Sequence, residues 1–386
     1  MRIAMIGQKG IPALYGGIER HVEDLATELA TQGHNVLVYA RKWYSPATGR
    51  QRGTMVIHTP TIHTKHLDAL THTLSATIHA LFQKVDVIHY HGVGPSLLSW
   101  LPRLLSPRIK VIATFHCIDR YHQKWGWLAR LALRWGELAA CLFPHETISV
   151  SKTIHSYCLN EYQKNTSLIP NGTTIPAVAA TNLLPRWHIA PQKYVLMVSR
   201  LVRHKGAHYL VAAWSFAKKQ YPQLLKDYKL IIVGGSAFTD DYVEELHELA
   251  HDDHSIIFTD WLSGEPLEQL YAHAGLFIHP SENEGLPLTV LQAMAYGRPA
   301  LVSNIPEHQE LITDNRFWFT NTSVADLADK IIELIKNPSL LATAGQKNSQ
   351  TVREHYTWTE LVKKTERLYA RPCTPETPLT SHLKVA

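Results

Sequence analysis

Two cations and one carboxylate are spaced so that they could grip an anionic, hydroxyl-rich ligand. Arg200 and Lys205 share the segment Ser199-Arg-Leu-Val-Arg-His-Lys-Gly206, which follows an apolar run. An arginine fork suits paired oxygens and a lysine supplies a point charge, so the pair could clamp a diphosphate at roughly 1.5 to 3 kcal/mol per charged hydrogen bond. Cations in a loop are also commonly just solvated, and the pair alone leaves both readings open. Glu284 and Gly285 form an acidic turn inside Pro280-Ser-Glu-Asn-Glu-Gly-Leu-Pro-Leu-Thr-Val-Leu-Gln-Ala-Met-Ala-Tyr-Gly297, between an apolar strand and a helix. The loop Gly7 to Gly17 ends in Gly16 and Gly17 at a helix start, where bare amides and the helix dipole favour an anion. It lacks GxGxxG, which argues against a dinucleotide enzyme, and an ordinary glycine-rich connection competes with the anion reading.

The elements around these loops set where they would stand. Short β-type runs at Arg2 to Gly7, Asn35 to Arg41, Met55 to Ile62, Asp86 to His91, Lys110 to His116 and Glu146 to Ser151 alternate with helical patterns, the rhythm of a parallel doubly wound sheet. Ile18, Val22, Leu25 and Leu29 recur at helical spacing before Gly33. A proline-bearing stretch follows Ser167 to Gly172, and the alternation restarts at Tyr194 to Arg200, Leu230 to Gly234, Ser255 to Trp261, Leu276 to Pro280 and Pro299 to Ser303. These patterns predict an α/β protein of two doubly wound Rossmann-like domains, 1–175 and 193–354, with a linker at 176–192. A helix over 355–370 is expected to pack back on the N-terminal domain, and 371–386 to form a loose tail. Ligands of such sheets lie beyond the carboxyl ends of the strands, where all three chemical segments fall.

Composition narrows the classes. The 386 residues are 45% hydrophobic and 18% charged, enough for two cores without disulfide staples. Cys117, Cys141, Cys158 and Cys373 form no CxxC pair, which fits reduced cytoplasmic thiols. The first residues are too short in apolar character for a signal peptide, and no stretch approaches a membrane span. Of the 24 histidines, His63 with His66 or His89 with His91 could be ligand pairs, but no neighbouring carboxylate or cysteine set completes a site, and no metal is expected. A net charge of +5 suits anionic small molecules or lipid head groups; no aromatic-interleaved basic stripe supports nucleic-acid binding.

Taken in order, Gly-Gly-x-Glu-x-His at 16–21, Val-Ser-Lys at 150–152, Ile-Pro-Asn-Gly at 169–172, Ser-Arg-Leu and Lys-Gly at 199–206 and the acidic turn at 280–297 resemble the retaining GT-B glycosyltransferases of family 4 (glycosyl transferases group 1). The resemblance covers nearly all of residues 1–370. It implies a GT-B fold whose two domains face across a cleft, a nucleotide-sugar donor, a glycan or lipid-linked acceptor, no cofactor and no obligatory metal. Arg200 and Lys205 would hold the donor pyrophosphate, and Glu284, with the Gly285 and Leu286 backbone, the sugar. His116 would reach the sugar from the opposite domain, and Gly16 and Gly17 would lie beside the phosphate and acceptor. The chain departs from the family where a second glutamate takes the ribose hydroxyls, because that position is Gln292. An amide offers one neutral acceptor oxygen, a loss on the order of 1 kcal/mol.

Arg120, Lys124, Arg130 and Arg134, with Trp127 and Trp135, share one side of a helical wheel provided that Gly126 does not break the helix. That side could dock on an anionic membrane surface, or be a helix with core tryptophans and solvated cations. The expected protein is therefore a cytoplasmic glycosyltransferase, peripheral on the inner face of the cell membrane if the stretch docks, acting in surface polysaccharide or glycolipid synthesis. Alternatives are a GT-B sugar-nucleotide epimerase and a GT-B binding protein weakened or silenced through Gln292.

Overall fold

A computed structural model describes all residues except 65–66, 119, 121–125, 178, 252 and 373–386. His66, Lys124, Cys373 and most of the expected tail lie outside the described residues. The N-terminal sheet comprises β1 (Arg2–Ile6), β2 (Asn35–Ala40), β3 (Gly49–Gln51), β4 (Thr54–His58), β5 (Val87–His91), β6 (Lys110–Phe115), β7 (Glu146–Ser149) and β8 (Ser167–Leu168), in the order β3-β4-β2-β1-β5-β6-β7-β8. The C-terminal sheet comprises β9 (Tyr194–Val198), β10 (Lys229–Val233), β11 (Ile256–Phe258), β12 (Leu276–His279), β13 (Ala300–Ser303) and β14 (Trp318–Phe319), in the order β11-β10-β9-β12-β13-β14.

Each sheet reverses its winding beside its first strand. Ala4 of β1 sits between Leu37 of β2 and Ile88 of β5, and Leu196 of β9 between Ile231 of β10 and Phe277 of β12. The loops leaving β1 and β9 therefore open at the two switch points, where a crevice forms because neighbouring connections diverge to opposite faces. The central strands are apolar runs buried on both faces, as helices on each side require.

Two strands escape the sequence patterns. β3 pairs antiparallel with β4 through a turn in which Arg52 and Gly53 both take positive φ, 47° and 82°. That is the geometry of a type I′ hairpin, usually announced by Asn-Gly, and an arginine in the first position conceals it. β14 has two residues and no periodicity to detect.

The last helix, Trp358–Ala370, crosses back from the C-terminal domain. It buries Trp358, Leu361, Val362, Leu368 and Tyr369 with Val22, Leu25, Ala26 and Leu29 of the helix Gly17–Thr31. Each large side chain so buried contributes about 1.5 to 3 kcal/mol, so this helix is an integral layer of the N-terminal domain.

Candidate active site

The acidic turn and the basic loop meet at the carboxyl ends of β9 and β12. Gly206 closes the basic loop at φ 72°, and a Cβ there would lie 2.1 Å from the carbonyl of Pro280, so only glycine lets the two segments abut. The backbone amide of Glu282 donates to the His204 carbonyl at 2.8 Å, and Ser281 Oγ donates to the same carbonyl at 3.1 Å. Tied this way, Lys205 Nζ donates to Glu284 Oε1 in an ion pair whose side chains are 14% and 9% exposed.

Burial by itself would raise the Glu284 pKa, but the Lys205 ammonium outweighs it and holds the carboxyl well below the usual range. Glu284 is thus a permanent acceptor. His279, at the end of β12, brings Nε2 to 3.1 Å from Glu284 Oε1, and burial holds its imidazole neutral. His308 binds Ser303 through Nδ1, 2.9 Å from the carbonyl oxygen, and burial lowers its pKa to about 4. His279 ends β12, the strand that leads straight into the acidic turn, whereas His308 joins Glu284 only through the pairing of β12 with β13, which no spacing reveals.

Across the cleft, the turn touches the N-terminal domain directly. A Cβ on Gly285 would lie 1.6 Å from the His116 carbonyl, so the two backbones are in contact, and Asn171 Nδ2 donates to the Leu286 carbonyl at 2.8 Å. His116 is 7% exposed, with its carbonyl rather than its ring against the turn. The ring packs into a histidine cluster: Nε2 is 3.3 Å from His91 Nδ1, and the His21 ring stands edge-on at 4.7 Å. His89 stacks on His91 at 4.1 Å and is held by Tyr369 and Thr114 at 2.8 and 2.7 Å. Burial keeps all four imidazoles neutral, His21 at about 4 and His89 at about 3.

Among the described residues, two sets have donor atoms within 4.8 Å of one another, His21 with His91 and His116, and His279 with Glu284 and His308. Of the pairs expected from sequence, His91 belongs to the first set, whereas His63 stacks on Trp43 at 4.1 Å and both nitrogens of His89 already have partners. In the second set the Lys205 ammonium already neutralises Glu284, and in the first His91 and His116 bond each other, while both ring nitrogens of His21 and of His279 and Nε2 of His308 have no hydrogen-bond partner among the described residues.

Arg200 is half-buried, and among the described residues its guanidinium has no hydrogen-bond or ion-pair partner. Gly17 lies 3.8 Å from Leu288, counting from an added Cβ, while the carboxylate of Glu19 folds back over Gly16. Gln292 is half-buried on the helix Leu288–Ala295.

The basic-aromatic stretch is rearranged. Gly126 does end it: the helix is Trp127–Leu142, so Arg120 is not on it. Arg120 turns inward, 3.4 Å from the buried Glu137 and 3.7 Å from Glu161, because an unpaired buried carboxylate would be costly. Trp127 and Trp135 are 74% and 59% exposed, and Arg130 and Arg134 are exposed beside them.

Two doubly wound Rossmann-like domains facing across a cleft define the GT-B architecture. Residues 186–351 match the family described as Glycosyl transferases group 1 and residues 15–175 match Glycosyltransferase Family 4, and the chain belongs to this glycosyltransferase family. It is 24% identical over 396 residues to an uncharacterised glycosyltransferase of Methanocaldococcus jannaschii, covering 96% of this chain and 98% of that one. It is 26% identical over 363 residues to the alpha-monoglucosyldiacylglycerol synthase of Streptococcus pneumoniae, covering 88% and 80%. The fold matches sucrose-phosphate synthase of Thermosynechococcus elongatus (TM-score 0.81, 20% identity, 95% and 98% covered) and Anabaena HepE in complex with UDP-glucose (TM-score 0.77, 20% identity, 96% and 100% covered).

Proposed function

We propose that this protein transfers a sugar, with retention of the anomeric configuration and without a catalytic metal, from a nucleotide-sugar to a glycan or lipid-linked acceptor in surface polysaccharide or glycolipid synthesis. The observation that carries the proposal is the Lys205–Glu284 pair at the ends of β9 and β12, with Arg200, unpartnered among the described residues, in the same basic loop. Arg200 and Lys205 stabilise the departing diphosphate, where charge develops as the sugar leaves. Glu284, ionised throughout, accepts hydrogen bonds from sugar hydroxyls and cannot act as a general acid. Gln292 meets the ribose with a single acceptor oxygen. Contact of Gly285 with His116 excludes water, which spares the donor from hydrolysis. A solved neighbour holds UDP-glucose and a relative is named for a glucosylated diacylglycerol, both in line with this donor and acceptor class.

A panel of nucleotide-sugars tests the proposal. One donor should release its nucleoside diphosphate only when an acceptor is added, and the product should keep the donor's anomeric configuration by NMR. Interconversion of nucleotide-sugars without release would instead identify an epimerase, and binding without turnover a silent binding protein.

The acceptor side favours a membrane surface on the cytoplasmic face. Trp127, Leu131 and Trp135 are exposed on the helix Trp127–Leu142, as are Leu104 and Leu105 on the helix Trp100–Leu105 and Phe82 on the helix Asp68–Phe82. Arg130 and Arg134 are exposed on the same helix as these tryptophans, and Arg108 is exposed earlier in the chain. Exposed tryptophans within a cationic field suit anionic lipid head groups. No helix among the described residues is long and apolar enough to cross a membrane. The variant Trp127→Ala/Trp135→Ala should co-sediment with anionic vesicles at least about fivefold more weakly than wild type; equal sedimentation would remove this surface from the proposal.

A further inference from the structure

The loop after β1 carries a cation that neither the basic loop nor the acidic turn accounts for. Lys9 Nζ lies 4.9 Å from the centroid of the Tyr15 ring and 5.8 Å from that of Tyr44. Tyr44 fixes this loop, its hydroxyl donating to the Tyr15 carbonyl at 2.6 Å and accepting from the amides of Leu14 and Tyr15 at 2.8 and 2.9 Å. Tyr15 in turn stacks at 5.0 Å on Trp261 of the other domain, which packs on Gly235. The carbonyl of Gly235 holds the amide of Leu201, next to Arg200, at 3.0 Å. Lys9 thus lies against one side of an interdomain stack whose other side joins the backbone next to Arg200, and the Arg200 charge is close enough to act on Lys9. Among the described residues neither forms an ion pair with a carboxylate.

We infer that Lys9 and Arg200 form a phosphate-binding clamp spanning the two domains, so that an anion in the cleft joins them and favours closure. The electrostatics agree. Burial pushes the Lys9 ammonium below the ordinary lysine value; Glu19 opposes this, while Arg200 and Arg41 add to it. Glu19 is already engaged, its carboxylate accepting the Lys9 amide at 3.1 Å and folded over Gly16. Two cations brought together from separate domains repel each other until an anion lies between them. The phosphate could belong to the donor diphosphate or to a phosphate-linked acceptor, and Lys9 would be a positioning residue for either. The inference rests on the nucleotide-sugar reading above.

Calorimetric titration of Lys9→Met and Lys9→Arg with the diphosphates and monophosphates of uridine, guanosine and adenosine separates the cases. Methionine keeps the apolar stem over Tyr15, so the thermal midpoint should hold. If the donor supplies the phosphate, Lys9→Met should weaken the diphosphate about tenfold or more, the monophosphate much less, and Lys9→Arg should restore most of the loss. If the acceptor supplies it, nucleotide affinity should hold while KM rises for a diphosphate-linked lipid sugar in vesicles and not for a neutral glycan. A wild-type protein that binds none of these nucleotides overturns the donor reading and this inference with it. Wild-type nucleotide binding, with Lys9→Met within twofold of it in both arms, overturns the Lys9 inference alone.

Discussion

Glu284 and Lys205 depend on each other. A carboxylate this enclosed stays charged because Lys205 faces it, and neither group has a comparable partner if the other is removed. Lys205→Met should therefore destabilise the fold by about 3 kcal/mol in urea titrations, the usual penalty for orphaning a buried charge. Adding Glu284→Gln to that variant should recover most of the stability and none of the transfer activity. Full stability in the single variant would mean that His279 and His308 suffice to hold the carboxylate. At this scale the sequence located groups that lie within one loop, as with Arg200 and Lys205 in the basic loop and Glu284 and Gly285 in the acidic turn. It was silent on His308 and Asn171, whose roles arise from strand pairing and domain contact, and it misplaced Arg120, which Glu137 draws inward from a different element.

Elements meet across the cleft through few contacts, and one resembles a latch. The carboxylate of Glu310, in the helix Pro306–Leu311, accepts the amides of Lys152 and Thr153 at 2.9 and 3.0 Å, capping the N-terminus of the helix Lys152–Tyr162 from the opposite domain. A carboxylate there satisfies orphan donors and complements the helix dipole. Ser151 caps the same helix within its own domain, so Glu310→Ala should leave the helix formed, at a cost of about 1 kcal/mol. Its main effect should be on closure, seen as a larger radius of gyration of the ligand-free protein by X-ray scattering; unchanged scattering would show that the latch does not hold the domains. Strand periodicity revealed most of both sheets because buried parallel strands are apolar runs. β3 and β14 stayed hidden, the one polar at an edge and the other two residues long.

Over the whole molecule, buried neutral histidines make stability depend on pH. His21 and His308 titrate at about 4 in the folded protein, His89 at about 3, and His91, His116 and His279 well below the ordinary value, burial being the first cause in each. Each unfolded imidazole takes a proton near pH 6.5 while its folded counterpart resists, so the unfolded state binds more protons as pH falls. The contribution, about 3 kcal/mol for a folded pKa of about 4, is fully present above pH 6.5 and lost as pH drops toward 4. The melting temperature should decline over that interval, and His21→Asn should flatten the decline. A melting temperature independent of pH from 6.5 to 4.5 would mean that these imidazoles are solvated.

The sequence by itself determined the α/β class, the two-domain layout, the basic loop and the acidic turn, and through its spaced motifs the glycosyltransferase family. Those features are written in neighbouring residues, as periodicity, glycine placement and local charge. Only the tertiary structure decided that Lys205 pairs with Glu284, that His21, His89 and His91 pack around His116, that Tyr15 beside Lys9 stacks on Trp261 and that Glu310 bridges the domains. Such contacts join residues tens to hundreds of positions apart, and their partners are chosen by strand order and domain closure, which no local pattern encodes.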